Sequence, residues 1–278
     1  MVKLEDLRKK AAEELKSINN LSPLSDIDYI LKSLGFSKTD IILGEKTVEK
    51  KTEKTFLKSL KHLKMGEPVQ YIVGKCEFMS LDFNVNKSTL IPRCDTEILV
   101  EEVIRLYKDK EDIKILEVGT GSGCIAISLA KYLPKATVVS IDISKKALKT
   151  AKKNALRNSV GDRVKFIKCD IKNGFPKGCG DYDVVVSNPP YIPSEDIEGL
   201  EKKVKNFEPI SALDGGGDGL DFYRIISKTA PLKEGGLLAF EVGFGQARDV
   251  SSLMDERFKN INIIKDLSGI DRVVTGMM

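Results

Sequence analysis

Short apolar runs alternate with amphipathic helical stretches from residue 114 onward in this chain of 278 residues. Predicted strands cover residues 114–118, 137–141, 164–169, 182–187 and 236–242, and predicted helices cover 124–132, 144–158, 219–230 and 246–257. Near-continuous apolar strands joined by helices are typical of a parallel sheet with helices on both faces. Two further strands, 261–267 and 271–275, flank a tight Ser268-Gly269-Ile270 turn and predict an antiparallel edge hairpin. The pattern therefore predicts an α/β fold with a seven-stranded sheet.

The N-terminal quarter has a different, helical pattern. Apolar residues recur at spacings of three and four over residues 2–18, ending at Ile18, and predict one face of a helix. Further helices are predicted over 25–34, with Ser25 as N-cap, and over 47–64. Together they predict a small helical domain whose polar exterior suits either a docking element or a structural cap.

A short segment separates the helical region from the alternating one. Gly66-Glu67-Pro68 interrupts the last N-terminal helix, and strand-like pieces follow at 69–73, 76–79 and 81–85. Asp95 is then placed to cap a helix that ends near residue 107. The predicted organisation is a helical N-terminal domain over 1–65, a β-hairpin linker over 66–92 and a main domain over 93–278.

The composition argues against several kinds of site. The single histidine, His62, lies in a lysine-rich predicted helix, which argues against a histidine-based metal site or a Ser-His-Asp triad. Five cysteines, odd in number and without Cys-x-x-Cys spacing, predict reduced thiols. No apolar run approaches the roughly 20 residues of a membrane helix, and the charged start is unlike a secretory leader. We therefore expect a cytoplasmic protein without a metal site or a membrane segment.

The first predicted strand runs into a glycine-rich turn. Glu117-Val118 is followed by Gly119-Thr120-Gly121-Ser122-Gly123 and then by a helix. Glycines at such a position let the backbone turn sharply and let a ligand approach the amides at the helix N-terminus. The spacing differs from the Gly-x-Gly-x-x-Gly of dinucleotide-binding proteins, and the turn lacks the Gly-Lys-Ser/Thr ending of a phosphate-binding loop. Alone, the turn is a weak indication of a ligand site.

Acidic residues follow the next two predicted strands. Asp142 lies about 20 residues after the glycine turn, where an acid in a doubly wound sheet accepts hydrogen bonds from ribose hydroxyls. Asp170, at the end of the third strand, suits the exocyclic amine of an adenine, with Ile171 against the ring. Helix capping is the alternative role for each acid. Their order along the chain favours a nucleoside site without a phosphate.

The fourth predicted strand ends in Asn188-Pro189-Pro190-Tyr191. Neither proline can extend a strand's hydrogen-bond ladder, so the strand stops at Asn188 and an amide side chain is held on a stiff turn. A plain strand-ending turn is the alternative. The glycine turn, the two acids and this turn, in this order, resemble the S-adenosylmethionine-dependent methyltransferases that act on planar nitrogen.

This resemblance implies a chemistry for the turn. The Asn188 side-chain oxygen and the Pro189 carbonyl would accept hydrogen bonds from a poorly nucleophilic NH2 group, orient its lone pair toward the methyl group and stabilise the developing positive charge. Tyr191 would pack on the flat substrate group, and no strong general base is required. Adenine-N6 DNA, guanine-N2 RNA and protein glutamine-N5 methyltransferases share this motif, and the fold alone cannot choose among them.

Further stretches resemble one of these families. They are GEPVQYIVG at 66–74, LIPR at 90–93 followed by Thr96-Glu97, NPPY at 188–191, FEP at 207–209, ALDGG at 212–216, DGL at 218–220, KDL at 265–267 and DRVV at 271–274. In this order, they resemble the peptide chain release factor glutamine methyltransferase family over nearly the whole chain from Gly66. Two positions depart from the family pattern: Cys94-Asp95 stands where Pro-Glu is usual, and Ile171 where many relatives carry an aromatic residue.

The family resemblance implies N5-methylation of the glutamine in the Gly-Gly-Gln loop of class I release factors, with S-adenosyl-L-methionine as donor and S-adenosyl-L-homocysteine as product. The cofactor would contact Glu117, Gly119, Thr120, Gly121, Ser122, Gly123, Asp142, Asp170, Ile171 and Asn188. The substrate glutamine would contact Asn188, Pro189, Pro190 and Tyr191, of which Asn188, Pro189 and Tyr191 would be catalytic. The partner would be a release factor, and the enzyme would be a monomer.

Two alternatives remain open from the residues. A nucleic-acid N-methyltransferase, acting on adenine N6 or guanine N2, should carry a dense basic stripe, whereas this chain has mixed charge and a formal net charge of +4. A non-enzymatic binding module on the same fold would be favoured by loss of Asn188 or of the glycine turn, and both are present. We therefore expect a protein-glutamine methyltransferase without direct nucleic-acid binding.

Overall fold

The computed structural model describes residues 2–16 and 23–278 and divides into two compact units, Met1–Lys75 and Cys76–Met278. The end of the predicted first helix, including Ile18, lies outside the described residues. Within 2–16 and 23–278, no helix is both long enough and apolar enough to cross a membrane.

Helices dominate the first unit. In chain order its elements are β1 (Val2–Lys3), α1 (Leu4–Lys16), α2 (Pro23–Ser33), α3 (Lys38–Leu43), β2 (Thr47–Val48), α4 (Lys50–Lys64) and α5 (Val69–Val73). β1 and β2 pair antiparallel. The apolar faces of the helices meet in one core that includes Leu4, Ile27, Leu31, Phe56 and Leu60. Burial of each such side chain stabilises the unit by about 2 kcal/mol.

Two predicted helix starts in this unit are wrong. Ser25 lies inside α2 and is not its N-cap, because α2 already includes Pro23, and proline suits the first helical position through its fixed φ and missing N–H. The predicted helix 47–64 begins only at Lys50, because Thr47–Val48 pairs with β1 instead.

Residues Val69–Val73 form the short helix α5 and not the predicted strand. This short, mostly apolar piece is strand-like in sequence, but Pro68 is the N-cap and Gly74, at φ 75°, donates its amide to the carbonyl four residues back at 2.8 Å. These two residues close a single helical turn. α3 is absent from the predictions, although Ser37 and Asp40 form a capping box whose residues are visible in the sequence.

The second unit carries the large sheet. From the unit boundary onward the elements are β3 (Lys75–Phe78), β4 (Leu81–Asn84), α6 (Cys94–Tyr107), β5 (Lys114–Val118), α7 (Cys124–Tyr132), β6 (Thr137–Asp142), α8 (Lys145–Arg157), β7 (Val164–Lys168), β8 (Tyr182–Ser187), α9 (Lys202–Lys205), α10 (Asp221–Thr229), β9 (Leu232–Glu241), α11 (Ala247–Met254), β10 (Lys259–Lys265) and β11 (Asp271–Met277). Short 3-10 turns cover Ile171–Asn173, Ser194–Gly199 and Ile210–Ala212. β3 and β4 pair in a separate two-stranded sheet.

Within residues 76–278, all of which the structure describes, seven strands form one sheet in the order β10-β11-β9-β8-β5-β6-β7. The five strands from β9 to β7 run parallel to their neighbours, whereas β11 runs antiparallel to both β9 and β10. This order confirms the predicted α/β fold, including the antiparallel hairpin at one edge.

Helices cover both faces of this sheet. Val184 and Val186 of β8 belong to a core that includes residues of α6, α7 and α8, whereas Val185 belongs to a second core with residues of α10 and α11. All three valines are fully buried. The near-continuous apolar sequence of the strand is therefore explained by burial on both of its sides.

Three element starts in this unit differ from the sequence expectation. α6 begins at Cys94 with Arg93 as N-cap, so the predicted capping role of Asp95, which lies in the first turn, is wrong. β9 begins at Leu232, earlier than predicted, because a register shift in its pairing with β8 accommodates the glycines near residue 235. α10 begins later than predicted, because Gly219 has a φ of 77° that no right-handed helix contains.

The strand order reverses direction between β5 and β8. β5 pairs with β6 on one side and with β8 on the other, and Val118 aligns with Ile141 and with Ser187. In open parallel sheets, ligands bind beyond the C-terminal strand ends at such a point. The glycine turn, Asp142 and Asn188 directly follow these aligned ends.

Candidate active site

A cavity of about 510 Å³ lies beyond the C-terminal ends of β5, β6, β7 and β8. Eleven of the sequence-predicted site residues line it: Glu117, Gly119, Thr120, Gly121, Ser122, Asp142, Asp170, Ile171, Asn188, Pro189 and Pro190. The remaining two, Gly123 and Tyr191, lie outside this lining. The volume is in the range of small-molecule and cofactor sites.

The glycine turn depends on left-handed backbone conformations. Gly119, Gly121 and Gly123 have φ values of 89°, 54° and 84°, which side-chain-bearing residues rarely adopt. A Cβ on Gly123 would also lie 2.9 Å from Cδ1 of Ile127 and 3.0 Å from Cβ of Ala151. Gly123 therefore allows α7 to pack closely on α8. Its role is in helix packing, which agrees with its position outside the cavity lining.

Asp142 is held by the backbone at the end of β6. Its Oδ2 accepts the amide of Gly121 at 2.9 Å, and its Oδ1 accepts the amide of Ser144 at 2.7 Å. Burial raises the pKa of Asp142, and these two amide hydrogen bonds oppose that shift. Because each carboxylate oxygen can accept more than one hydrogen bond, both oxygens retain capacity for a ligand hydroxyl.

Asp170 and Ile171 form the wall of the cavity beyond β7. Asp170 caps the short turn that follows it, accepting the amide of Lys172 at 3.0 Å and the side-chain amide of Asn173 at 3.2 Å. Capping, the alternative role for this acid, is therefore present. Ile171 is buried and lines the cavity, so it presents an apolar surface there.

Glu117, in β5, is fully buried in the wall of the cavity. It accepts the hydroxyl of Ser140, which also bonds the hydroxyl of Thr120 at 2.6 Å. Its Oε1 has no hydrogen-bond partner among the residues that the structure describes. Burial raises the pKa of Glu117 to about 8. A buried acceptor without a partner suits a cationic or N–H-bearing ligand group, and S-adenosylmethionine carries an ammonium group of that kind.

Asn188 begins the turn after β8. Immediately before it, the Ser187 hydroxyl donates to the carbonyl of Val118 at 2.7 Å, which joins the ends of β8 and β5. The side-chain nitrogen of Asn188 donates to Oγ1 of Thr96, in α6, at 3.1 Å. The amide side chain is therefore fixed at the cavity wall between two elements far apart in sequence.

The two prolines are supported by the glycine-rich loop after α9. A Cβ on Gly215 would lie 2.8 Å from both the carbonyl oxygen of Pro190 and Cα of Tyr191, so the loop backbone contacts the turn directly. Gln246 donates its side-chain amide to the carbonyl of Tyr191 at 2.9 Å. The Tyr191 side chain packs against the core that contains Phe240, and burial raises its pKa to about 12.

Sequence reasoning missed the role of an ion pair beside the cavity. Arg93 and Pro209 line the cavity, and the Arg93 side chain pairs with the buried carboxylate of Glu208. Glu208 also accepts the amide of Ile91 at 3.4 Å. Arg93 lies in the LIPR stretch and Glu208 in the FEP stretch, and both stretches carry the family resemblance. That shared resemblance was the available indication that the two residues act at one site.

Sequence reasoning also missed Glu241, the last residue of β9. This residue is 3% exposed, burial raises its pKa to about 7, and its Oε2 has no hydrogen-bond partner among the described residues. The available signal was a single acid inside the apolar run of a predicted strand.

Two family models match the chain. One is described as a methyltransferase domain and matches residues 109–264, and the other is described as the PrmC N-terminal domain and matches residues 6–74. Both matches fit the alternating main domain and the helical N-terminus.

Proteins named release factor glutamine methyltransferase are similar over most of the chain. One from Fusobacterium nucleatum is 41% identical over 97% of this chain and 77% of its own length. One from Clostridium acetobutylicum is 41% identical over 98% of each chain. Among solved structures, the hMettl16 catalytic domain in complex with an RNA hairpin shares the fold at a TM-score of 0.57 and 14% identity, over 90% of each chain. On the two sequence matches, this chain belongs to the release factor glutamine methyltransferase family.

Proposed function

We infer that this chain transfers a methyl group from S-adenosyl-L-methionine to the side-chain amide nitrogen (N5) of the glutamine in the Gly-Gly-Gln motif of class I peptide chain release factors. The observation that carries the inference is that Asn188 and Pro189 line the same cavity as the glycine turn and Asp142. A nucleoside site and a pair of amide-binding acceptors thus meet in one cavity. Family membership identifies the amide as that of a glutamine.

The cofactor end of the proposal assigns one role to each group of residues. Asp142 accepts hydrogen bonds from the ribose hydroxyls with the capacity left by its two backbone donors. Asp170 accepts the adenine amine, and Ile171 packs on the ring. The Oε1 atom of Glu117, which is without a partner among the described residues, accepts the ammonium group of the cofactor's methionine part.

The substrate end of the proposal orients a weak nucleophile. When bound, S-adenosylmethionine supplies an electrophilic methyl group on its sulfonium and leaves as S-adenosylhomocysteine. Asn188 and the carbonyl of Pro189 accept the two hydrogens of the glutamine NH2 and hold it in line with the methyl group. The same acceptors stabilise the positive charge that grows on nitrogen. One proton then leaves to solvent, so a strong general base is unnecessary. Tyr191 packing against the glutamine stays a proposal, since its side chain lies outside the cavity lining.

We further propose that residues 1–65 dock the release factor, that 66–92 act as a hairpin linker and that 93–278 are the catalytic domain. The match of residues 6–74 to the PrmC N-terminal domain supports a dedicated N-terminal domain. We also propose that the protein is a monomer. We place it in the cytoplasm, because its proposed substrate is a translation factor.

The test is transfer of labelled methyl from S-adenosylmethionine to a purified class I release factor, with total RNA and DNA in parallel. Label should enter the release factor and should be lost when the glutamine of its Gly-Gly-Gln motif is replaced by alanine. A release factor with a glutamine outside this motif replaced is the matched control and should be labelled fully. Labelling of nucleic acid in place of the protein would overturn the inference.

A further inference from the structure

Two loops contact the chain where the turn at residues 188–191 ends. The first is the glycine-rich loop after α9: the carbonyl of Ile192 accepts the amide of Gly215 at 2.8 Å, and the amide of Ile192 donates to the carbonyl of Leu213 at 3.0 Å. The second loop, at 243–246, lies between β9 and α11 and bonds the last residue of the turn. The exit of the turn is therefore held by elements distant from it in sequence.

Gln246 joins the second loop to the turn through both ends of its side-chain amide. Its Nε2 donates to the carbonyl of Tyr191 at 2.9 Å, and its Oε1 accepts the backbone amide of Gly243 at 3.1 Å. These partners fix the orientation of the amide, because a flipped amide would set its oxygen against the Tyr191 carbonyl and its NH2 against the Gly243 amide. Gln246 is half-buried and lies outside the cavity lining. It therefore acts on the turn and not on a ligand in the cavity.

Two glycines approach this hydrogen bond closely. A Cβ on Gly219 would overlap the carbonyl oxygen of Tyr191 and would lie 2.8 Å from Nε2 of Gln246. A Cβ on Gly243 would lie 2.6 Å from Oε1 of Gln246 and 2.9 Å from Cδ2 of Tyr191. Only residues without a side chain allow such close packing. The Gln246 amide is therefore confined to one place, so its hydrogen bond fixes the Tyr191 carbonyl.

We propose that Gln246 is a positioning residue for methyl transfer: by holding the Tyr191 carbonyl, it fixes the direction of the Pro189 carbonyl toward the substrate NH2. The ring of Pro190 removes one of the backbone rotations between these two carbonyls. The bonds of Ile192 restrict the chain beyond them. Without Gln246, the Tyr191 peptide group gains freedom to rotate, and the Pro189 carbonyl loses its fixed direction. The proposal rests on the inferred methyl transfer, in which that carbonyl is an acceptor.

The first test is Gln246→Met, which keeps the length of the side chain and removes both hydrogen bonds. We expect kcat for release factor methylation to fall about 10–100-fold, because a small displacement of a positioning group costs up to about that much. The rate is expressed per cofactor-binding site, counted by calorimetry. A purely structural defect lowers the number of such sites and leaves the turnover of each unchanged. Wild-type kcat per site in Gln246→Met would overturn the proposal.

The second test is Gln246→Glu, which makes the hydrogen bond to the Tyr191 carbonyl depend on pH. In the ionised form, one carboxylate oxygen still accepts from Gly243, but the other faces the Tyr191 carbonyl with no hydrogen between them. A protonated carboxyl donates that hydrogen and restores the bond. Burial and a partner that bonds the neutral form raise a glutamate pKa above its usual value of about 4.3. The ratio of variant to wild-type kcat should therefore rise roughly tenfold between about pH 8 and pH 5.5.

Two groups near the turn bear on this pH profile. Burial raises the pKa of Glu241 to about 7 and that of Tyr191 to about 12. Glu241 therefore titrates in this range, and division by the wild-type kcat at the same pH removes its effect. Asn262→Asp is the matched control, because Asn262 lies on the edge strand β10 and donates its side-chain amide to the carbonyl of Asn260 at 2.8 Å. Its ratio should not change with pH.

The comparison of the two acidic variants decides between the possible outcomes. A ratio that rises at low pH only in Gln246→Glu supports the proposal. A ratio independent of pH in Gln246→Glu, or an equal rise in Asn262→Asp, would contradict it. Failure of the wild-type enzyme to methylate a release factor would instead refute the proposed function, so the two failures are distinguishable.

Discussion

The two ends of the cavity hold their polar groups in different ways. At the cofactor end, Asp142 is fixed by the backbone amides of Gly121 and Ser144. At the substrate end, the side-chain nitrogen of Asn188 donates to the side-chain hydroxyl of Thr96, in α6, at 3.1 Å. Backbone amides remain after most substitutions, whereas one substitution removes a side-chain partner. The cofactor end should therefore tolerate changes in its surroundings, and the substrate end should not.

The largest effect is expected from Asn188→Ala. Loss of the amide oxygen removes an acceptor that binds most strongly when charge has developed on nitrogen, so kcat should fall on the order of 10²–10³-fold or more. Affinity for S-adenosylmethionine should weaken but stay detectable by calorimetry. Asn206→Ala, at an exposed asparagine after α9, is the matched control and should methylate normally. Unchanged turnover in Asn188→Ala would remove this residue from the mechanism.

At the cofactor end, Asp142→Ala should lower the affinity for S-adenosylmethionine about 10–100-fold, because hydrogen bonds to a charged group contribute roughly 1.5–3 kcal/mol. Asp170→Ala should cost less, because that carboxylate already caps the 171–173 turn. The KM for the release factor, measured at saturating cofactor, should change in neither variant. Equal cofactor affinity in Asp142→Ala and the wild type would contradict the ribose assignment.

The same contrast explains which parts of the site could be predicted from sequence. β5 and β8 have the predicted bounds, 114–118 and 182–187, because each is a short apolar run ended by glycine or proline. The glycine turn follows the end of β5, and Asn188 follows the end of β8. The local sequence pattern was therefore enough to predict that these groups lie at the C-terminal edge of the sheet. A parallel sheet then brings the ends of neighbouring strands together without further information.

The partners of Asn188 could not be predicted in this way. Thr96 is 92 positions away in sequence, and no local pattern joins a threonine in the first turn of α6 to the end of β8. Glu241 lies inside the predicted strand 236–242, but its place beside Asn188 depends on the register of β8 with β9. The strand predicted for Val69–Val73 is wrong for the opposite reason, because the local caps Pro68 and Gly74 outweigh a short, mostly apolar sequence that is strand-like.

A smaller effect, on pH dependence, is expected at Glu117. Its pKa is raised to about 8 by burial, so the carboxyl is largely protonated below that pH. Binding of a cationic group favours the ionised form, and the proton must leave. The Kd for S-adenosylmethionine should therefore fall as the pH rises, by at most about tenfold per pH unit between about pH 6 and 7.5. Glu117→Gln should flatten this dependence in calorimetric titrations. A steep slope in both proteins would place the titrating group elsewhere.

The smallest effect on activity is expected from Gly123→Ala. This substitution tests how strongly the cofactor end depends on the packing of α7 against α8. Gly74→Ala is the matched control, because Gly74 has nearly the same backbone conformation (φ 75° and ψ 16°, against 84° and 12° for Gly123) but no described atom within 4 Å of an added Cβ. Both variants should lose about 1–2 kcal/mol of unfolding free energy from backbone strain. Gly123→Ala should lose a further 1–3 kcal/mol or so from overlap with Ile127 and Ala151, measured by urea denaturation. Equal losses would mean that α7 and α8 can move apart at little cost in free energy. The glycine turn, whose Gly121 amide bonds Asp142, would then depend less on helix packing than we expect.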